Sequence, residues 1–293
     1  MTEPKTHTLD LLGARLTYDV TEAESESTQP LLLMIGSPME ASGFTTLAGH
    51  FRDRKVATYD PRGVGRSPRD DGVTAATPDE HGEDLHRLIS ELGGGPVDIF
   101  ASSGGAVNGL ALVARHPEAV RTLVAHEPPL ATVLPDQKEV LAVTEDIYET
   151  YKRDGFGSAM AKFIVFTSLR GPVPSDFLTD APKPADFDLP TQDDGSRKHP
   201  LLGPHMVYVT RYNPDFNSLC AASTRIVVAG GADSEGTFPY RAAVAVAERL
   251  GTYVVIFPSH HGGFQEQGDP DAFAATLQRV LAVSGGSTDL TRL

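Results

Sequence analysis

Val97-Asp98-Ile99-Phe100-Ala101-Ser102-Ser103-Gly104-Gly105-Ala106 decides how the rest of this chain is read. A short apolar run ends at a serine set among tiny residues, and a helical pattern follows at once. That is the form of a nucleophile elbow, a sharp strand-to-helix turn that lifts a serine hydroxyl above a parallel sheet. The turn is strained, so the residues two before and two after the nucleophile must be small. Around Ser103 they are Ala101 and Gly105, alanine replacing the first glycine of the usual Gly-x-Ser-x-Gly. Choosing Ser102 instead would put Phe100 where a small side chain is needed. Ser103 is therefore the candidate nucleophile.

Outward from this stretch, strand and helix patterns alternate. Residues 8–12 and 14–20 read as two antiparallel strands with Gly13 at the turn. Residues 31–35 form a continuous apolar run, the mark of a strand buried on both faces, and end at Gly36-Ser37-Pro38. A helix is expected over 44–53 and a strand over 55–59. Thr77-Pro78-Asp79-Glu80 starts a helix, with Thr77 as N-cap and Pro78 in the first position. That helix shows Leu85, Leu88, Ile89 and Leu92 on one face. Residues 120–125, 225–229 and 253–257 read as strands, and 239–250 and 271–283 as helices. Such alternation implies βαβ units and a parallel sheet. It breaks after Pro128, where two helical patterns, 137–153 and 156–169, a Pro/Asp-rich stretch and a helical piece near 205–211 intervene. The domain reading is a sheet core of residues 1–128 and 220–293, interrupted by a helical insertion of residues 129–219. The tail, residues 284–293, reads as frayed.

Composition narrows the function classes. The 293 residues suit one α/β domain with an insertion. No run of 18 apolar residues predicts a membrane span, and Met1-Thr2-Glu3-Pro4-Lys5 lacks the form of a signal peptide. Cys220 is the single cysteine, which excludes an intrachain disulfide, fits a reducing cytoplasm and reads as packed near the return from the insertion. A net charge of −14 disfavours nucleic acid and anionic membrane surfaces as partners. There is no Gly-x-x-x-x-Gly-Lys-Ser/Thr loop, no complete dinucleotide fingerprint at Gly63-Val64-Gly65 and no His-Glu-x-x-His.

A serine nucleophile needs a base beside it and an acid to orient that base. In parallel sheets such groups sit at the carboxyl ends of strands. One strand runs into Gly230-Gly231-Ala232-Asp233, and another into Pro258-Ser259-His260-His261-Gly262-Gly263. The chain order is then Ser103, Asp233, His261. Taken with Gly36-Ser37-Pro38 and Asp60-Pro61-Arg62-Gly63-Val64-Gly65-Arg66-Ser67, these motifs resemble the α/β-hydrolase superfamily, in its lidded, ester-hydrolase-like branch. The resemblance spans nearly all of the chain outside the insertion. It implies an α/β fold, a mostly parallel sheet flanked by helices with a helical lid, and catalytic roles for Ser103, Asp233 and His261. His261 before Gly262 fits the family's base better than His260. Glu127, at the end of an earlier strand, is the alternative acid, since some members draw theirs from there; Glu235 is a lesser competitor.

An oxyanion hole requires two donors. The first is the backbone N–H of Gly104, next after the nucleophile. Pro38 has no N–H, so the family's His-Gly-x-Pro pattern, here Ile35-Gly36-Ser37-Pro38, makes Ser37 the second, with Met39 as the alternative. The Asp60–Ser67 motif reads as a structural buttress. In the insertion, His205, Tyr208, Arg211 and Tyr212 either line a substrate pocket or form one face of an ordinary helix. The resemblance implies a cytoplasmic serine hydrolase that needs no cofactor or metal and acts on a small or medium ester or lactone. Its partner is that small molecule, with no nucleic acid and no membrane; a homodimer is compatible. A C–C bond hydrolase or a cofactor-free haloperoxidase-like perhydrolase would use the same residues. A ligand-binding protein on the same fold is the alternative from another class.

Overall fold

The apolar runs of the sequence become neighbours in one sheet. A computed structural model describes residues 3–73 and 75–283, and the elements below are those of the described residues. The strands are β1 (Lys5–Leu11), β2 (Ala14–Thr21), β3 (Leu32–Ile35), β4 (Val56–Tyr59), β5 (Val97–Ser102), β6 (Val120–His126), β7 (Arg225–Gly231) and β8 (Val255–Phe257). They lie in the order β1-β2-β4-β3-β5-β6-β7-β8. β2 pairs antiparallel with both β1 and β4, and the other pairings are parallel. The helices are α1 (Thr45–Ala48), α2 (Pro78–Glu91), α3 (Gly104–Arg115), α4 (Gln137–Asp154), α5 (Phe156–Ser168), α6 (Pro204–Arg211), α7 (Phe216–Ala221), α8 (Phe238–Arg249) and α9 (Pro270–Ala282).

Continuous apolar strands arise because both faces of the sheet are covered. In β3, Leu33 and Ile35 join the core that α2, α3 and α8 complete, while Leu32 and Met34 face Phe44, Phe51 and Phe273. β5 divides in the same way, with Ile99 and Ala101 on one side and Phe100 on the other. Each such buried Leu, Ile or Phe contributes roughly 1.5–3 kcal/mol of transfer free energy. α2 begins as its sequence dictates: the Thr77 hydroxyl accepts from the Glu80 N–H at 3.2 Å, and Leu85, Leu88 and Ile89 are buried. Leu92 follows as the C-cap.

The expected helix over 44–53 is shorter than its pattern. A 3₁₀ turn, Ala41–Phe44, leads into a single α turn that ends at Gly49. Burial of Phe44, Leu47 and Phe51 in one core accounts for the apolar spacing without a longer helix. Cys220 is exposed rather than packed, with its Sγ 3.7 Å from the Arg249 carbonyl. The tail, residues 284–293, lies outside the described residues. No helix among the described residues is long and apolar enough to cross a membrane.

The Asp60–Ser67 loop is a buttress of buried polar contacts. The Asp60 carboxylate accepts from the Ala41 and Arg66 amides, both at 2.9 Å, and Arg62 donates to both oxygens of Asp84 at 2.8 and 2.6 Å. The chain between β6 and β7 carries α4, α5, α6 and α7. Asp136 anchors its start, accepting from the Val173 amide at 2.9 Å and pairing with Arg241 of α8.

Candidate active site

Ser103 stands between β5 and α3 with φ 57° and ψ −127°, a conformation that non-glycine residues rarely hold. Strain of this kind is what an elbow requires. The residues after it must be glycine. A Cβ on Gly105 would lie 2.5 Å from the Ile35 carbonyl oxygen, and one on Gly104 would lie 2.4 Å from that of Ser37. The elbow and the turn after β3 thus meet backbone to backbone. Ser102 is buried, with its hydroxyl 3.3 Å from His126 Nδ1, whereas Ser103 is half-exposed and lines a cavity.

His261 lines the same cavity. Its Nδ1–H donates to Glu127 Oε2, and Glu127 Oε1 accepts the Gly231 amide at 2.8 Å. The Glu127 side chain is fully buried. Burial alone would raise its pKa, but the His261 hydrogen bond, the neighbouring His126 and the Gly231 amide together hold it at about 2. Glu127 also takes φ 48°, a bend directly after β6 that precedes the Pro128-Pro129 pair. Asp233, the expected orienting acid, is exposed in the 3₁₀ turn after β7. Its amide donates to the Ser259 carbonyl at 2.9 Å, and its carbonyl accepts from Arg170 at 2.8 Å. The carboxylate against His261 therefore comes from the end of β6 rather than β7. Glu235 is exposed, as is His260, whose Nδ1 accepts from the Gly262 amide at 3.1 Å.

The cavity measures about 170 Å³. Ser37, Ser103, Gly104 and His261 line one side of it, and the insertion supplies Phe163, Phe166, Met206 and Val209. Among the expected insertion residues, His205 is buried and lines it. Tyr208 is 41% exposed, and the Tyr212 hydroxyl donates to Asp79 at 2.7 Å, tying the end of α6 to α2. Neither is a lining residue. Arg211 pairs with Glu145 of α4. A larger cavity, about 790 Å³, opens beside β2, β4 and α1 and contains none of Ser103, Glu127 or His261. Size therefore does not mark the site here; the convergence of strained serine, histidine and buried carboxylate does.

Residues 29–266 match the model of a family described as having the alpha/beta hydrolase fold. The chain belongs to the α/β-hydrolase fold family. It is 29% identical over 265 residues to the uncharacterized hydrolase YraK of Bacillus subtilis (strain 168), covering 88% of this chain and 89% of that one. Its structure is similar to the esterase EaEST of Exiguobacterium antarcticum, with TM-score 0.65, 18% identity and coverage of 97% and 100% of the two chains. It is also similar to a bromoperoxidase from Bacillus anthracis, with TM-score 0.68, 16% identity and coverage of 96% and 100%. Likeness at these identities establishes the fold.

Several residues of this α/β-hydrolase escape a reading by motif. His126 is fully buried among Phe100, Phe257, Phe264 and Phe273, with its ring 5.9 Å from that of His261. Burial pushes its pKa down to about 4. Phe163, Phe166 and Thr167 of α5 line the cavity, and the signal was the apolar surplus of that helix. Among the described residues, His86, His116 and Glu118 bring one metal-binding atom each within 4.8 Å of one another. The two imidazoles stack with centroids 3.8 Å apart, so their nitrogens lie side by side instead of converging on one ion. None of the three lines the cavity of Ser103.

Proposed function

We propose that this α/β-hydrolase is a serine hydrolase of small, uncharged carboxylic esters or lactones, acting through an acyl-enzyme on Ser103. The observation that carries this reading is the pairing of two features in one small apolar cavity. One is a serine held at positive φ; the other is a histidine whose Nδ1–H is held by a buried carboxylate. In the proposed reaction His261 Nε2 takes the Ser103 proton as Oγ attacks the carbonyl carbon. The Gly104 amide at the start of α3 and the Ser37 amide hold the developing oxyanion. His261 then protonates the leaving alkoxide, and water releases the acyl group by the same steps in reverse. Glu127 stays ionised throughout and fixes the tautomer of His261.

Substrate size and charge follow from the lining. A volume of about 170 Å³ suits a short acyl group. Among the described residues no Lys, Arg, Asp or Glu lines the cavity, so a charged acyl group would be desolvated without a partner. The hydroxyls of Thr167 and Thr210 already donate to carbonyls of their own helices at 2.9 Å. The test combines a small fluorophosphonate with p-nitrophenyl acetate and butyrate. Mass spectrometry should find the adduct on Ser103, and Ser103→Ala should lower ester turnover by about 10⁴-fold or more. Turnover that survives in Ser103→Ala overturns the reading, as does an adduct elsewhere.

A further inference from the structure

Ser37 has few polar anchors of its own. The next residue, Pro38, carries no N–H. Ser37 Oγ is buried and, among the described residues, has no hydrogen-bond partner. Yet the proposed oxyanion donor is the amide of this residue, and such a donor is effective only when its position is fixed before the reaction. A group from the insertion meets Ser37 at this point. A Cβ placed on Gly104 would lie 2.4 Å from the Ser37 carbonyl oxygen and 3.2 Å from Nε2 of His205. His205 Nε2 and the Ser37 carbonyl oxygen thus crowd the same point beside Gly104, and the Ser37 backbone works against the burial that lowers the His205 pKa. It is 8% exposed and meets His81 of α2 edge-on, with centroids 6.2 Å apart. Burial keeps the imidazole neutral, so it has a single N–H, and a carbonyl can accept only from the nitrogen that carries it.

The helix that carries His205 is itself held on two sides. Tyr212, which follows α6, donates to Asp79 of α2 at 2.7 Å, and its carbonyl accepts from Thr132 at 2.7 Å. Arg211 pairs with Glu145 of α4.

We propose that His205 is a positioning residue: donating from the insertion to the Ser37 carbonyl, it fixes the turn that presents the Ser37 amide. Seating α6 on the core and assembling the oxyanion hole then become one event. The inference rests on the reading of Ser103 as nucleophile. It assigns the insertion a part in the chemical step and not only in substrate fit.

Two variants separate this role from plain cavity lining. His205→Phe keeps a ring and loses the N–H; His205→Gln keeps an amide donor. Both are compared with the unmodified protein for kcat and KM on p-nitrophenyl acetate and for the rate of Ser103 phosphonylation by a small fluorophosphonate. Thermal unfolding confirms that each is folded. His205→Phe should lower kcat by about 10- to 100-fold and slow phosphonylation in parallel, because the phosphoryl oxygen uses the same two amides. KM should change by less than about threefold, and His205→Gln should restore kcat to within about fivefold of the unmodified protein. If His205→Phe does not fold, His205→Ala is read in the same way. Phosphonylation at the unmodified rate, or a raised KM at unchanged kcat, reduces His205 to a lining residue and overturns the inference. So does a Gln variant no better than Phe. Absence of any Ser103 adduct in the unmodified protein is a different failure, because it removes the nucleophile itself.

Discussion

The ends of β6 and β7 are neighbours in the sheet, and each is followed by a carboxylate, but the two carboxylates live in different solvents. Glu127 bends inward at φ 48° immediately after β6, is fully buried, and has one oxygen on the Gly231 amide and the other on His261. Asp233 follows the Gly231 end of β7 in an exposed turn, and its backbone, not its carboxylate, makes the contacts that tie it to Ser259 and Arg170. β7 itself supplies the amide that satisfies Glu127. One strand end therefore provides the acid and the other provides its hydrogen-bond donor. What selects a carboxylate to orient a histidine is enclosure with both oxygens hydrogen-bonded, and sequence position does not report enclosure.

Glu127→Gln is the sharpest way to break this comparison. The amide oxygen can still accept from Gly231, but the amide nitrogen then faces the Nδ1–H of His261, donor against donor. The imidazole must take the other tautomer, which leaves Nε2 protonated and unable to accept from Ser103. Turnover of p-nitrophenyl butyrate should fall by about 10⁴-fold, the loss typical of a tautomer error in such a triad. The protein should remain folded by circular dichroism. A loss below about tenfold would show that Glu127 does not orient the base.

How much of this was legible beforehand depends on whether a signal is local. Ala101, Ser103, Gly104 and Gly105 announce the elbow as a local run of small residues, and backbone contact with Ser37 and Ile35 excludes a side chain at Gly104 and Gly105. The parallel sheet was legible for a similar reason, since apolar runs without alternation report burial on both faces. The choice between Glu127 and Asp233 was not local. It turns on a left-handed bend at a glutamate and on a Gly231 amide 104 residues away. The two readings of the insertion helix stayed open for the same reason. His205, Tyr208 and Tyr212 crowd one short helix in sequence, yet only His205 lines the cavity, while Tyr212 ties α6 to α2 and Tyr208 faces outward. At eight residues, α6 is too short for its pattern to tell those directions apart.

Acidification tests the enclosed end more gently. Glu127 is held at about 2 against an ordinary 4.5, so it binds its proton later in the folded state than in the unfolded one. That stability is present above pH 4.5 and lost as pH falls toward 2. Burial holds His126 and His205 at about 4 and His81 at about 3, against an ordinary 6.5. For these histidines too the unfolded chain takes up protons first, so stability declines as pH falls from about 6.5 toward 4. All four groups therefore act with the same sign. Urea midpoints measured from pH 7.5 to pH 3.5 should fall steadily below pH 6.5. Glu127→Gln should flatten the part below 4.5 and leave the histidine part in place. A midpoint constant between pH 6.5 and 4.5 would contradict the burial of these histidines as neutral groups.

The smallest effect is expected at the exposed end. Asp233→Asn keeps the backbone that accepts from Arg170 and donates to the Ser259 carbonyl, and it changes only a side chain already in water. Surface changes of this kind usually stay within about 0.5 kcal/mol in stability. Ester turnover should remain within about twofold, because a solvated carboxylate that does not touch His261 contributes little to it through screened charge alone. The contrast with Glu127→Gln is then about four orders of magnitude between two neighbouring strand ends. A large loss in Asp233→Asn together with a small one in Glu127→Gln would reverse the comparison. It would mean that His261 swings from β6 to β7 during turnover, taking its orienting carboxylate from the exposed side when substrate fills the cavity.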